Sequence, residues 1–415
     1  MNKKGGENML VTVNILSIVV FVGIAYALSN NRRQIHWRSV LIVLGLEFIL
    51  AWFFTNFRAG RLAVMAAADG FSWLVKAAWK GIAFAFPEWL TSNHGGPNFV
   101  TAALLPMLLV VPLFDILSYC HFLPWVIKWV GKGLSKITRQ PKFEAFFSIE
   151  MMFLGNTEVL AVSKTQLNQM SARRNMTLAL MSMSCVSASI IGSYTQMIPG
   201  QYVLTAIPLN ILGAIAVAAI LNPTTVSKKD DVIVQVQGKS GRREPFFSFL
   251  GGSILSAGKL VLIITGTVIA FVSLGELVNQ LLGLTGLSWL TLENIFGVVL
   301  FPFAWLLGFS VGDAFQLAQY MGTKLVTNEF VVMGQVSKAM LHSRGLFANQ
   351  HARIVLSVFL TSFANLGTVG MIVACFKGLV SAEKSEYVAA RVPQMLLAGV
   401  LVSFLSAAMA GLFVW

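Results

Sequence analysis

Charged side chains are scarce in this sequence: Asp, Glu, Lys and Arg make up only 11% of its 415 residues, whereas 56% are hydrophobic. A typical soluble domain carries about 25% charged residues. This shortage, together with a mean hydropathy of +0.75, excludes an ordinary water-soluble protein. The composition indicates a chain that lies within a lipid bilayer.

Residue types that carry catalysis or bind metals are also few. The three cysteines, Cys120, Cys185 and Cys375, are widely spaced and form no CxxC motif, so we expect neither a disulfide framework nor a zinc site. The five histidines show no metal-ligand spacing, and we expect each to be solvated or to cap a helix. No nucleophile and base present themselves together, so we expect no enzyme, no metal and no cofactor.

The net charge of +13 arises from 30 Lys and Arg against 17 Asp and Glu, and such an excess can indicate nucleic acid binding. The basic residues, however, lie in short segments between apolar runs, as the positive-inside rule predicts for cytoplasmic loops. We therefore expect Arg32, Arg33, Arg38, Arg173 and Arg174 to face the cytoplasm. No nucleic acid partner is expected.

Charge-free apolar runs near or above the ~20 residues that cross a bilayer recur along the chain. They cover residues 8–31, 99–114, 260–275, 354–376 and 392–415, and residues 175–227 can form two spans with a turn at Pro199. A further span is expected at residues 40–57. Lys128, Lys132 and Lys136 recur every four residues, which predicts an amphipathic helix over residues 123–138 on the cytoplasmic membrane surface.

Two units of the chain follow the same order. Each begins with a short apolar segment broken by polar residues, Asn156-Thr157-Glu158 in the first and Asn328-Glu329 in the second, and each continues with two spans. The number of membrane crossings between the two units places their starting points on opposite faces of the membrane. Such an arrangement is an inverted repeat. We therefore predict an all-α polytopic membrane protein with eight transmembrane helices and two re-entrant hairpins.

Acidic residues interrupt several apolar segments. A carboxylate at bilayer depth costs about 3 kcal/mol, so Glu158 and Glu329 should be offset by a polar ligand or a coupling ion. An alternative is that each pairs with a nearby base, Lys164 or Lys324, and only holds its hairpin in place. The weaker candidates are Glu47 and Asp115, which we expect to reach an interface, and Glu150, which can anchor the first hairpin or carry a proton.

Polar residues also occur inside two expected spans. Asn365 lies in SFANLGTVG with Gly367 and Thr368 close by, a combination that favours local unwinding and frees backbone groups for a ligand. The corresponding span of the first unit contains Ser184, Ser187 and Ser189. For both runs the alternative is close helix packing through small residues.

Three of these segments resemble motifs of the concentrative nucleoside transporter family, in particular its bacterial proton-coupled branch. GTKLVTNEFVVM at residues 322–333 resembles the family's GxKxxxNEFVA signature. LGNTE at residues 154–158 is similar to its GQTE hairpin tip, and SFANLGT at residues 362–368 to its FANxSS segment. The order and spacing of the motifs are kept over the C-terminal two thirds of the chain.

The resemblance implies a homotrimer in which each protomer has a fixed scaffold domain and a mobile transport domain that moves as an elevator. The implied divisions are as follows: residues 1–140, mainly scaffold, with three spans and the amphipathic helix; 141–222, the first transport repeat; 223–310, a cytoplasmic loop, a scaffold span and an external interfacial helix; and 311–415, the second transport repeat.

The resemblance also implies roles for individual residues. The nucleobase-binding positions fall on Asn156, Thr157, Glu158 and Ile190, and the ribose-binding positions on Asn328, Glu329, Phe363, Asn365 and Thr368. The positions that bind sodium in sodium-coupled members fall on Met151, Leu154, Cys185 and Val186. A thioether and a thiol are poor ligands for a hard cation, so coupling to H⁺ is favoured over coupling to Na⁺.

The sequence thus predicts a secondary active importer of nucleosides, uridine among them, in the bacterial inner membrane. Its partners would be a nucleoside, a coupling ion, membrane lipid and two further copies of the chain. The alternatives are a sodium-coupled nucleoside symporter, a nucleobase transporter and a passive channel.

Overall fold

The computed structural model describes residues 3–90, 98–227, 229–231, 233 and 244–415. The helices of the first half are α1 (Lys3–Ala27), α2 (Trp37–Thr55), α3 (Arg58–Ala85), α4 (Pro87–Leu90), α5 (Met107–Tyr119), α6 (Phe122–Thr138), α7 (Lys142–Leu154), α8 (Asn156–Val162), α9 (Lys164–Gln169), α10 (Ala172–Ser182), α11 (Ala188–Tyr194) and α12 (Gly200–Leu221). Those of the second half are α13 (Phe246–Gly283), α14 (Leu292–Leu306), α15 (Val311–Val326), α16 (Glu329–Leu341), α17 (Gln350–Leu360), α18 (Leu366–Leu379), α19 (Ala382–Ala389) and α20 (Val392–Gly411). The described residues contain no strand.

Six stretches of helix are long and apolar enough to cross a membrane without interruption. They are Met9–Ala27, Trp37–Thr55, Val100–Tyr119, Gly200–Leu221, Phe246–Gly283 and Val392–Gly411. Two further spans are broken, one between α10 and α11 and the other between α17 and α18. Together they supply the eight crossings that the apolar runs predict.

The breaks lie where the small and polar residues predict unwinding. In the first, the backbone leaves the helix after Ser182 and returns at Ala188; in the second it leaves after Leu360 and returns at Leu366. The side chain of Asn365 caps the new helix, since its Oδ1 accepts hydrogen bonds from the Thr368 backbone N–H at 2.8 Å and from the Thr368 hydroxyl at 3.1 Å. Unwound backbone at membrane depth is tolerated only where protein or a cavity surrounds it.

Two helical hairpins precede these broken spans. In the first, α7 ends at Leu154 and α8 begins at Asn156, and the turn passes through Gly155 with a φ of +82°. In the second, α15 ends at Val326 and α16 begins at Glu329. Asn328 caps α16, because its Oδ1 accepts from the Val331 backbone N–H at 3.0 Å. The chain thus repeats the order of hairpin, broken span and continuous span.

The last helices of the two repeats, α12 and α20, pack against each other in the interior. Of the N-terminal spans, α2 packs on α12 and α1 on α20, whereas α13 packs on α5. The predicted amphipathic helix corresponds to α6, whose lysines are exposed while Leu123, Ile127 and Leu134 are buried. The boundary between a scaffold and a transport domain stays a prediction.

Both breaks meet at one glycine of α20. A Cβ atom placed on Gly399 would lie 2.7 Å from the Cβ of Ala364 in the second break and 3.1 Å from the Cβ of Met183 in the first. Atoms this close would overlap, so only a residue without a side chain fits. Gly399 therefore lets α20 approach both unwound segments at once.

Two expectations about polar residues are wrong. Glu47 does not reach an interface: it lies near the middle of α2 and is fully buried. His351 is neither solvated nor a simple cap, because it is fully buried with Nδ1 2.8 Å from the Val414 carbonyl oxygen and Nε2 2.9 Å from that of Leu307. Glu47 is covered by α20, and His351 by the segment that follows α20. Neither burial can be seen from the helix that carries the residue alone.

Candidate functional site

A cavity of about 350 Å³ lies between the tips of the two hairpins and the two breaks. This volume is in the range of small-molecule sites in proteins. Its walls are formed by Val111, Gly155, Asn156, Glu158, Ser187, Ile190, Leu260, Ile263, Ile264, Thr267, Phe271, Asn328, Glu329, Phe330, Phe363, Asn365, Gly367, Thr368 and Met371. The cavity brings together every predicted base and ribose residue except Thr157, whose side chain lies outside the described part of the chain.

Four helices begin at the wall of this cavity, namely α8, α11, α16 and α18. The first turn of a helix presents unpaired backbone N–H groups, and the aligned peptide dipoles give that end a partial positive charge of about +0.5. The two acidic side chains of the cavity, Glu158 and Glu329, each lie in the first turn of such a helix. This placement offsets part of the cost of a carboxylate at bilayer depth.

Glu329 is buried and has two hydrogen-bond donors. The Tyr194 hydroxyl donates to its Oε1 at 2.9 Å, and the Asn365 side-chain amide donates to its Oε2 at 3.2 Å. Asn365 is in turn fixed by Thr368, so the carboxylate is held by groups from both broken spans. A carboxylate oxygen has a second lone pair, which leaves Glu329 able to accept a hydrogen bond from a ligand in the cavity.

The tip of the first hairpin lines the same cavity as this carboxylate–amide pair. Asn156 is buried, and its side-chain amide donates to the Ser182 carbonyl oxygen at 3.4 Å. Glu158 is exposed to the cavity, and a Cβ atom on Gly155 would lie 2.7 Å from its Oε2. The hairpin tip thus presents an amide and a carboxylate, which together can donate to and accept from a polar ligand.

The remaining wall is apolar and comes largely from α13. Leu260, Ile263, Ile264 and Phe271 line the cavity from this helix, and Phe363 lines it from the second break. A wall of this kind excludes water and offers flat contact surface to a ring system. The part of the wall that comes from α13 is therefore mainly apolar, with Thr267 as its polar side chain.

The four positions that correspond to a sodium site do not line the cavity. Met151, Cys185 and Val186 are buried, and Leu154 is partly buried. Their polar contacts involve sulfur: the Ser182 hydroxyl lies 3.5 Å from the Met151 Sδ, and the Cys185 Sγ lies 3.6 Å from the Met181 carbonyl oxygen. Within the described ranges, no group of three or more His, Cys, Asp or Glu is placed to hold a metal ion.

The alternative in which each acid pairs with a nearby base has a different outcome for the two acids. Among the described residues, the direct ion pairs are Lys142 with Asp231 and Arg174 with Glu144, so Glu158 has no direct pair with Lys164. Lys324 forms no direct pair with Glu329 either, but the two buried charges interact electrostatically. The Lys324 ammonium is fully buried, lies 4.7 Å from the centroid of the Phe359 ring and donates to the Ser403 hydroxyl at 3.5 Å.

Sequence reasoning missed two parts of this site. Tyr194 holds Glu329 although 135 positions separate the two residues, and its only sequence signal is a lone phenol at the end of an apolar run. The wall from α13 was also missed, because apolar residues in a span are indistinguishable in sequence from residues that face lipid.

Comparison with known proteins agrees with the geometry. Residues 16–89 match the family model described as Na⁺ dependent nucleoside transporter N-terminus, and residues 202–411 match the model for its C-terminus. The chain is 42% identical over 407 residues to the purine nucleoside transport protein NupG of Bacillus subtilis. The aligned region covers 98% of this chain and 100% of that protein. It is 25% identical over 414 residues to the nucleoside permease NupC of Helicobacter pylori, with 97% of each covered.

Among solved structures, the chain is similar to CNTnw in an inward-facing substrate-bound state. The TM-score is 0.91 at 24% sequence identity, with 98% of each chain covered, which shows a shared fold. The family models cover more than half of the chain, and the relation to NupG extends over nearly all of it. The chain is therefore a multi-pass cell-membrane protein of the bacterial concentrative nucleoside transporter family, and it is a transporter of nucleosides and not an enzyme.

Proposed function

We propose that this transporter imports nucleosides against their gradient by coupling each transport cycle to proton entry. The observation that carries the proposal is the cavity between the hairpin tips, which is lined both by the Glu329–Asn365 pair and by Asn156 and Glu158. A nucleoside has a ribose rich in hydroxyls and a flat base with donors and acceptors on its edge. The two sets of polar side chains can match these two parts.

Glu329 and Asn365 are the groups proposed to bind the ribose. Vicinal hydroxyls can donate to the carboxylate and accept from the amide, and a hydrogen bond to a charged acceptor is stronger than one between neutral groups. Thr368, Asn328 and Phe363 complete this side. A free nucleobase lacks these hydroxyls, so it would leave the carboxylate without its ligand donors.

The base is proposed to bind at the tip of the first hairpin. Asn156, Glu158 and Ile190 line this part of the cavity, and Thr157 is the fourth predicted residue. The apolar side chains of α13 would contact the faces of the ring. The likeness to NupG, a purine nucleoside transport protein, supports purine nucleosides as substrates alongside uridine.

Proton coupling is proposed because the sodium positions carry unsuitable ligands. The thioether of Met151 and the thiol of Cys185 stand where hard oxygen ligands would be needed for Na⁺, and both are enclosed by neighbouring helices. A proton needs only one titratable group. Sodium coupling is the competing outcome.

We further propose that the chain acts as a homotrimer and that the repeats move as an elevator past a scaffold that includes α13. Support comes from the cavity itself, which is lined by α13 and by Val111 of α5 as well as by the repeats. Most of α13 is exposed within one chain, so lipid or a second subunit would cover it. Native mass spectrometry of the purified protein tests the trimer, and a dimer or monomer would contradict it.

Uptake by purified protein in proteoliposomes tests the transport proposal. Labelled uridine should accumulate when the outside is acidic, and unlabelled inosine and adenosine should compete while uracil and adenine should not. Accumulation that follows an imposed sodium gradient but ignores a pH gradient would overturn proton coupling. Competition by the free bases at the same concentrations would indicate a nucleobase transporter, and uptake that never exceeds equilibration would indicate a channel.

A further inference from the structure

Another buried acidic side chain lies away from the nucleoside cavity. Glu47, near the middle of α2, is fully buried where α2 meets α12 and α20. Its Oε1 accepts a hydrogen bond from the Ser406 hydroxyl of α20 at 3.0 Å. Gly213 of α12 lies beside it, since a Cβ atom there would be 3.3 Å from the same Oε1.

The other carboxyl oxygen of Glu47 is unpaired. Its Oε2 is inaccessible to solvent and has no hydrogen-bond partner within the described part of the chain. The only donor seen at this carboxyl group is thus a single serine hydroxyl, whereas Glu329 has the hydroxyl of Tyr194 and the amide of Asn365. The two buried acids are therefore in different electrostatic settings.

No charged group compensates Glu47. Neither α12 nor α20 contains Asp, Glu, Lys, Arg or His, and the titratable Tyr202 lies about three turns from Gly213 along α12. The charged residues of the other helices that pack on α2, and of α2 itself, are all exposed: Arg38, Arg58, Arg61, Asp69, Lys76, Lys80, Lys128, Lys132 and Lys136. None of them is among the ion pairs of the described residues.

An unpaired carboxylate in such a place is costly, and a carboxylic acid avoids most of that cost because it is neutral. We propose that Glu47 is the binding site of the coupling proton, with the proton held on Oε2 between α2 and the α12–α20 pair. This assignment rests on the proposed proton-coupled function. It adds a cation site that lies outside the nucleoside cavity and outside the positions of the sodium site.

The two helices beside Glu47 also contact the second break. Ser403 lies one turn before Ser406 on α20, and its hydroxyl is 2.9 Å from the hydroxyl of Ser362 within the second break. On α12, the side-chain amide of Asn210, one turn before Gly213, donates to the Thr361 carbonyl oxygen of the same break. The two helices that enclose Glu47 therefore also hold the unwound segment that leads to Asn365.

Glu47→Gln provides the test, because an amide has the shape and neutrality of the protonated acid. In proteoliposomes, we expect the variant to keep nucleoside counterflow, in which preloaded unlabelled uridine exchanges for labelled uridine without an ion gradient. We expect it to lose accumulation driven by a pH gradient and to lose the alkalinisation of the medium that accompanies uptake. Glu383→Gln, the same change at an exposed position of α19, is the matched control and should behave as the unaltered protein.

The outcomes separate this inference from the proposed function. If the unaltered protein shows no pH-driven accumulation, proton coupling and this inference are both overturned. If the unaltered protein is driven by pH and Glu47→Gln remains so, the Glu47 assignment fails while proton-coupled import stands. Loss of pH-driven accumulation in Glu150→Gln but not in Glu47→Gln would place the proton on Glu150 and overturn the assignment.

Two measurements decide the matter if Glu47→Gln fails to fold or loses counterflow. Ser406→Ala removes the donor that stabilises the charged form, so the pH of half-maximal uptake should move to a higher value; an unchanged midpoint overturns the proposal. Dicyclohexylcarbodiimide reacts with protonated carboxyl groups in apolar surroundings, and mass spectrometry should find its adduct on Glu47. Absence of that adduct at acidic pH, with labelling at other acids, also overturns it.

Discussion

The pair of donors on Glu329 gives a quantitative expectation for Glu329→Gln. The carboxylate accepts from the Tyr194 hydroxyl and from the Asn365 amide, and both of its oxygens are therefore needed as acceptors. Glutamine offers one oxygen and one NH₂ group, so it can accept from only one of these two donors, and the Tyr194 hydroxyl would have to turn and accept from the NH₂ group. The variant also loses the negative charge proposed to bind a ribose hydroxyl.

A hydrogen bond to a charged group contributes about 1.5–3 kcal/mol. Loss of the ribose contact should therefore raise the Kd for uridine by about 10- to 150-fold. Uptake at uridine concentrations below the original Kd should fall in the same proportion. The fold should persist, because Tyr194 and Asn365 retain their packing in buried positions.

Isothermal titration of the purified protein with uridine and with a ribose-deoxy analogue checks both the magnitude and the cause. The unaltered protein should bind uridine more tightly than 3′-deoxyuridine or 2′-deoxyuridine by a factor in that range, and Glu329→Gln should remove the preference. Size-exclusion chromatography and a matched Glu383→Gln variant control for folding. The ribose role is refuted if the variant still discriminates the hydroxyl as strongly as the unaltered protein.

Three further changes have expected outcomes. Tyr194→Phe removes a donor to the buried Glu329, so it should weaken uridine binding and also lower the melting temperature; the same titration checks the affinity, and unaltered affinity would contradict the prediction. Glu144→Gln breaks the buried bidentate pair with Arg174, in which both contacts are 2.8 Å, and should cost about 3–5 kcal/mol, seen as a lower melting temperature by fluorescence-detected chromatography. Gly155→Ala places a side chain at a φ of +82° and should cost about 1–3 kcal/mol, with reduced nucleoside affinity; a normal variant would show that the hairpin tip relaxes freely.

Local chemistry was sufficient to predict the spans, the hairpins and the breaks. Apolar runs of bilayer length can only be helices at that depth, and the Asn-Glu and Asn-Leu-Gly steps mark helix starts because Asn328 and Asn365 cap them through their own side chains. The three motifs carried the resemblance to the family. The cavity contains the predicted residues because these same caps form its wall.

Contacts between distant segments could not be predicted. Glu47 was assigned to an interface because α2 alone leaves it open, and only Gly213 and Ser406 from α12 and α20 enclose it. Arg174 was expected to face the cytoplasm, and its buried ion pair with Glu144 could not be read from the sequence. Periodicity describes one helix at a time, whereas these side chains are placed by the docking of several.

Gly399 sets the distance between the two unwound segments. Because Ala364 and Met183 both rest on the same point of α20, the separation of the two unwound segments is fixed by the width of a bare backbone. A methyl group there would push the two unwound segments apart, and with them the residues of both segments that line the cavity. Gly399 does not line the cavity itself, yet it sets the spacing between the parts of its wall that the two segments form.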